Sequence, residues 1–171
     1  LLAPNQPTFY QNLGNILQSS GDLDESIVAY QKAVVIDPNS AEIHNDLGNA
    51  FRLQGQLDNA VISIQNSISI QPNCLAFYNL GLVMQDQENV DEAISYYKQA
   101  IAINPNFVQA YNNLGNIFQT LDKLDKALEY YKTAVRIDPD YLEVQSNLGT
   151  IYINNNELNE AINCYQYILR I

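Results

Sequence analysis

The feature that most constrains this chain is its period. Prolines recur at Pro4, Pro38, Pro72, Pro105 and Pro139, at steps of 34, 34, 33 and 34 residues. Glycines keep the same step at Gly14, Gly48, Gly81, Gly115 and Gly149, each preceded by leucine at Leu13, Leu47, Leu80, Leu114 and Leu148. Twelve residues after each glycine stands a small side chain: Ser26, Ala60, Ala93, Ala127 or Ala161. Four further on come Tyr30, Ile64, Tyr97, Tyr131 and Tyr165, and three beyond those Ala33, Ser67, Ala100, Ala134 and Ile168. Columns that agree at one period mark a repeated supersecondary unit. Five units, 7–40, 41–73, 74–107, 108–141 and 142–171, account for nearly all of the 171 residues and read as a single domain over 1–171.

Each unit reads as two helices. In the fourth, Phe107, Tyr111, Leu114 and Phe118 follow a helical period, with Ala110 and Ile117 beside them. A break at Leu121-Asp122-Lys123-Leu124 follows, and a second periodic stretch runs from Lys126 to Ile137 before Pro139 closes it. Acids at Asp24-Glu25, Asp58, Asp91-Glu92, Asp125 and Glu160 open the second helices, where capping and the helix dipole favour them. The glycine and small-residue columns imply close helix approach, with the aromatic or branched column filling the groove beside them. Two short helices cannot bury an apolar face alone, so stacking on neighbours must complete the core. A closed bundle would not need the same residue at the same point of every unit. The expected fold is an all-α solenoid of five tandem two-helix repeats. The second unit is one residue short in the turn after Pro72, which is expected to leave the stack intact.

Composition then excludes several classes. A hydrophobic fraction of 47% argues against disorder, and a net charge of −11 argues against nucleic acid and anionic membranes. There is no apolar run of membrane-spanning length, so membrane insertion is not expected. The start, Leu1-Leu2-Ala3-Pro4-Asn5, has no signal features, and the end, Tyr167-Ile168-Leu169-Arg170-Ile171, stops inside a periodic segment. These ends suggest a fragment of a longer protein, and the missing signals suggest a cytoplasmic location. Self-association through the terminal repeats is a further expectation, since Tyr165, Ile168 and Ile171 await a next repeat.

At these columns the sequence resembles the tetratricopeptide repeat family over residues 7 to 171. The family's motif is matched by Tyr111, Leu114, Gly115, Phe118, Ala127, Tyr131, Ala134 and Pro139. The resemblance implies a right-handed superhelix, with first helices lining a concave groove and second helices outside. His44 and Gln145 depart from it at the first aromatic, and Ser26 at the small Ala. The turn glycine, present as Gly21 and Gly55, becomes Glu88, Asp122 and Asn156. Asn tolerates a left-handed turn, whereas Glu and Asp are strained if they must adopt one.

The chain holds 22 Asn against eight Lys and Arg, and many flank the Leu-Gly pairs. Family geometry assigns those positions to the groove. Two residues before glycine stand Asn12, Asp46, Asn79, Asn113 and Asn147; three before stand Gln11, Asn45, Tyr78, Asn112 and Ser146. After glycine come Asn15, Asn49, Leu82, Asn116 and Thr150, and one turn on Gln18, Arg52, Gln85, Gln119 and Ile153. Amides donate and accept, so such a ladder suits the backbone of an extended peptide and predicts broad specificity. A competing reading is that the amides bridge adjacent first helices or meet water. The pattern is similar to the asparagine ladder of the O-linked N-acetylglucosamine transferases. That resemblance implies, as an alternative to a stand-alone scaffold, the substrate-recognition arm of a larger glycosyltransferase.

Chemistry is not expected within the chain. His44 sits in a core aromatic column, and Cys74 and Cys164 lack metal-ligand spacing. No cofactor, metal, phosphate loop or nucleophile motif is indicated. Tyr96 and Tyr130 are expected near the outer surface, where they would be open to a lattice or dimer contact. Arg52 is the one cation in the groove columns, too little for clamping an acidic chaperone tail. The expected partner is a protein or peptide, neutral or basic rather than acidic.

Overall fold

A computed structural model describes residues 6–170; Pro4, the rest of the first five residues and Ile171 lie outside the described residues. The described chain is all-α. Its ten helices are α1 (Pro7–Ser20), α2 (Leu23–Ile36), α3 (Ala41–Leu53), α4 (Leu57–Ile70), α5 (Cys74–Asp86), α6 (Val90–Ile103), α7 (Val108–Thr120), α8 (Leu124–Ile137), α9 (Leu142–Asn154) and α10 (Leu158–Ile168). They pair in order, α1 with α2 through α9 with α10, as five helical hairpins. The chain divides into two compact units, Leu1–Ile103 and Asn104–Ile171. In the first, α2 packs on α3, α4 on α5, and the first helices α1, α3 and α5 touch in series. In the second, α8 packs on α9.

Helix starts follow two rules. Pro7 opens α1, where its missing N–H is no loss. Ser40 and Asn73 cap α3 and α5, accepting from the Ile43 and Ala76 N–H groups at 3.4 and 2.9 Å. The second helices correct the capping expectation: α2, α4, α8 and α10 have no side-chain cap bond. Their first-turn acids favour the helix dipole instead, and Asp24 also accepts from Gln54 Nε2. Between repeats, Asp37, Asn104 and Asp138 before the proline each accept the N–H two residues on, at 3.1–3.2 Å. The loop 71–73 has Gln71 there and is the short one, yet α4 and α5 still pack.

The turn inside each hairpin demands a left-handed residue. Gly21 and Gly55 have φ +92° and +80°, and Glu88, Asp122 and Asn156 take the same conformation at φ +60°, +56° and +60°. The chain reverses there through main-chain bonds, as where Glu88 N–H reaches Gln85 O and Asn89 N–H reaches Met84 O, at 2.9 and 2.8 Å.

Within each hairpin, glycine makes room for the aromatic ring. A Cβ on Gly14 would lie 2.6 Å from a Tyr30 ring carbon, one on Gly81 2.6 Å from Tyr97, and one on Gly149 2.8 Å from Tyr165. Gly115 stands in the same relation to Tyr131, and Gly48 to Ile64. Tyr30, Tyr97 and Tyr131 are consequently among the most buried side chains. Ser26, the polar member of the small column, spends its hydroxyl on Gly14 O at 2.9 Å. Ser67 is fully buried, and its Oγ has no partner.

Three stability outcomes follow from these contacts. Glu88→Gly and Asp122→Gly should each stabilise by roughly 0.5–1 kcal/mol in denaturant melts, with Asn156→Gly near neutral. Gly115→Ala should destabilise by about 1–2 kcal/mol, because crowding of the Tyr131 ring exceeds the gain in helix propensity. Ser67→Ala should stabilise by about 1 kcal/mol by removing an orphaned hydroxyl.

Candidate peptide-binding face on the first helices

The amide columns separate into three sets. The first stitches neighbouring first helices together. Gln11 Nε2 donates to Asp46 Oδ2 at 2.8 Å, Asn79 Nδ2 to Asn45 Oδ1 at 2.9 Å, and Asn147 Nδ2 to Asn112 Oδ1 at 3.2 Å. One rule covers all three: the residue three before glycine meets the residue two before glycine of the next repeat. Asn45, Asn79 and Asn112 are buried and so held inside the stack, as the bridging reading requires. An amide suits this place because it can donate to one neighbour and accept from the next.

The second set serves the tyrosines. The Tyr30 hydroxyl lies 2.6 Å from Asn15 Oδ1 and 3.3 Å from Gln18 Oε1. That of Tyr97 donates to Gln85 Oε1 at 2.6 Å. That of Tyr131 reaches Asn116 Oδ1 at 2.5 Å and Gln119 Oε1 at 2.9 Å. Burial pushes the Tyr30 phenol up to about 12, helped by the Asp46 charge. Burial, then Glu143, raises Tyr131 as well. Both phenols therefore remain protonated donors. Asn116 Oδ1 also accepts from Asn147 Nδ2 at 3.0 Å. Its oxygen is thus used twice, while its Nδ2 makes no hydrogen bond among the described residues.

The third set is uncommitted. Asn12 is exposed and Asn49 half-buried, and neither makes a side-chain hydrogen bond among the described residues. Asn49 is spared because its repeat carries Ile64 in place of tyrosine. Arg52 is not free: its Nη1 pairs with Asp86 Oδ2 at 3.0 Å across α3 and α5. Tyr78 and Asn113 do not belong to this set: both are half-buried and engaged, the Tyr78 ring lying 5.6 Å from that of Tyr97.

Three participants lie outside the sequence-derived set. Glu143 accepts from Asn112 Nδ2 at 2.8 Å, and since a carboxylate only accepts, it fixes which way that amide points. Asp86 neutralises Arg52. The tyrosine hydroxyls reach the groove columns from the second helices. Only the last left a trace in the sequence: the column prefers Tyr over Phe, and a buried Tyr needs a partner for its hydroxyl.

The remaining candidates take structural roles. His44 Nε2 contacts Pro38 O at 3.0 Å, and Gln145, in the same column, donates to Pro139 O at 3.2 Å. Cys74 is half-buried, and Cys164 is buried, which raises its thiol. Tyr96 stacks on Phe77 and Tyr130 on Phe118, with centroids 6.5 and 5.4 Å apart. Both rings pack within the chain and are half-buried. Among the described residues no group of His, Cys, Asp and Glu could hold a metal, and no helix is long and apolar enough to cross a membrane.

The architecture defines a helical-repeat protein whose first helices carry an Asn- and Gln-rich face suited to binding protein or peptide. Family models support the assignment: one described as TPR repeat matches residues 14–55 and 86–122, and two described as tetratricopeptide repeat match 108–141, and 41–74 with 142–171. The chain belongs to the tetratricopeptide repeat family. Among solved structures it is similar to MamA, at 27% identity and TM-score 0.76 over 92% of each chain. It is also similar to PilF of Pseudomonas aeruginosa, at 22% and TM-score 0.87 over 96% of this chain and 75% of that one. A third is YrrB, described as a TPR protein with an unusual peptide-binding site, at 24% and TM-score 0.65 over 92% and 82%. The last two likenesses show the fold alone. No curated protein matches the chain.

The stitching set should announce itself in stability. Asn79→Ala and Asn112→Ala should each cost about 1–3 kcal/mol in denaturant melts, because a buried partner is left unsatisfied. Asn12→Ala and Asn49→Ala should change stability little. Asp46 titrates in the opposite sense to most carboxylates. Burial raises its pKa, the Gln11 bond lowers it in part, and Glu42 raises it further. The folded state therefore binds this proton more tightly than the unfolded chain, and the ionised form costs stability at neutral pH. Asp46→Asn should raise the thermal midpoint at pH 7. Its advantage should shrink as pH falls through the raised value and level off below the ordinary 3.8.

Proposed function

We propose that this chain is a non-catalytic interaction scaffold that holds an extended peptide segment against its first helices. The observation that carries this reading is the uncommitted set. Asn12 and Asn49 have both ends of their amides unengaged, and Asn116 has its Nδ2 left to donate. Donors and acceptors of that kind match the N–H and C=O groups of a peptide main chain. Of the residues assigned to the groove from sequence, Asn12, Asn15, Asn49 and Gln85 in the first unit, and Asn116 and Gln119 in the second, are the ones we assign to ligand contact. Asn45, Asn79, Asn112 and Asn147 are assigned to holding the face in shape, with Arg52 held by Asp86. The net charge of −11 supports a neutral or basic partner over an acidic one.

A neutral Ser-Gly peptide, acetylated and amidated, is a suitable probe. Its titration should shift the side-chain amide resonances of Asn12, Asn49 and Asn116. The double variant Asn12→Ala/Asn49→Ala should bind about tenfold more weakly with an unchanged unfolding midpoint. No shifts in the wild type, or equal affinity in the double variant, overturns the reading. We also propose self-association through α10 and the residue after it, where Leu158, Ile162 and Leu169 are exposed. Light scattering should then show mass rising with concentration, and a constant monomer mass counts against it.

A further inference from the structure

Asp46 departs from its column. The equivalent positions are Asn12, Asn79, Asn113 and Asn147, and an asparagine would serve the Gln11 partner through its own amide oxygen. The carboxylate is half-buried and close enough to Tyr30 to disfavour that phenolate, and Glu42 stands one turn before it on α3. Only Oδ2 is used, by Gln11, and no lysine, arginine or histidine pairs with the group among the described residues. The nearest candidate along α3, Arg52, is engaged by Asp86. A partly desolvated charge without a counter-charge is unfavourable in the unliganded protein, and a ligand cation would relieve it. The surroundings reinforce the sign: residues 1–103 hold three Lys and Arg against eleven Asp and Glu.

We propose that Asp46 is a specificity-determining residue that seats a lysine or arginine side chain of the bound peptide, while Asn12, Asn15 and Asn49 contact the main chain on either side. Asn15 supports this arrangement because the Tyr30 hydroxyl occupies its oxygen and leaves its Nδ2 to donate. The proposal rests on the peptide-binding reading of the amide face. It adds what that reading lacks, a preference for one side chain over another.

The test compares two probes, the Ser-Gly peptide with one central lysine and the same peptide with norleucine in that place. Norleucine keeps the aliphatic stem and removes the charge. Wild-type protein should bind the lysine peptide about tenfold more tightly, with the difference shrinking as salt rises. Asp46→Asn should bind both peptides with the affinity of the wild type for norleucine. That variant restores the residue found elsewhere in the column and keeps an acceptor for Gln11, so it is expected to fold, and a melt confirms it. A lysine preference that survives in Asp46→Asn overturns the proposal, as does a wild type that binds both peptides equally. Either result leaves the amide face a peptide-binding surface. Binding of neither peptide overturns the peptide-binding reading and this proposal together.

Discussion

The rest of the structure depends on one contact, a tyrosine ring lying against a bare glycine. In four of the five hairpins the ring of Tyr30, Tyr97, Tyr131 or Tyr165 occupies the space a Cβ would take on the facing first helix. That contact sets how closely the two helices approach and therefore which residues point away from them. For Tyr30, Tyr97 and Tyr131 it also carries the hydroxyl past the glycine to amides one or four residues after it. Core packing and the polar face are thus two ends of one side chain. Where Ile64 replaces tyrosine the packing survives, but the hydroxyl is lost and Asn49 is left unengaged.

The amide face divides its labour along the same geometry. Bonds across consecutive first helices hold Asn45, Asn79 and Asn112 out of water, and Glu143 imposes a direction on one end of such a chain. A network of this kind is favourable only when every member is satisfied, which explains why the outermost amides can remain open without cost. Asp46 is the exception. Burial disfavours its charge, which weakens the folded state at neutral pH, as expected of the binding role proposed for it.

Much of this was legible in the sequence because period and residue size report directly on helix packing. The positions of all ten helices, the left-handed turn at Glu88, Asp122 and Asn156, and the packed role of His44 follow from columns compared across repeats. The side-chain partners were less legible. Asp24 and Glu25 look like caps in the sequence, yet α2 has no side-chain cap bond, because dipole and cap favour the same residues by different geometry. Nor did the sequence show that Tyr96 and Tyr130 stack on Phe77 and Phe118.

The sequence by itself determined the repeat, the helix pairs and the crowding of amides around the Leu-Gly pairs, since each is a matter of spacing along the chain. Only the tertiary structure decided which amides are spent and which are open. That choice depends on distances of about 3 Å between residues some 34 positions apart, such as Asn79 and Asn45 at 2.9 Å. An asparagine reads the same in the sequence whether its partner is another asparagine, a tyrosine hydroxyl or a ligand.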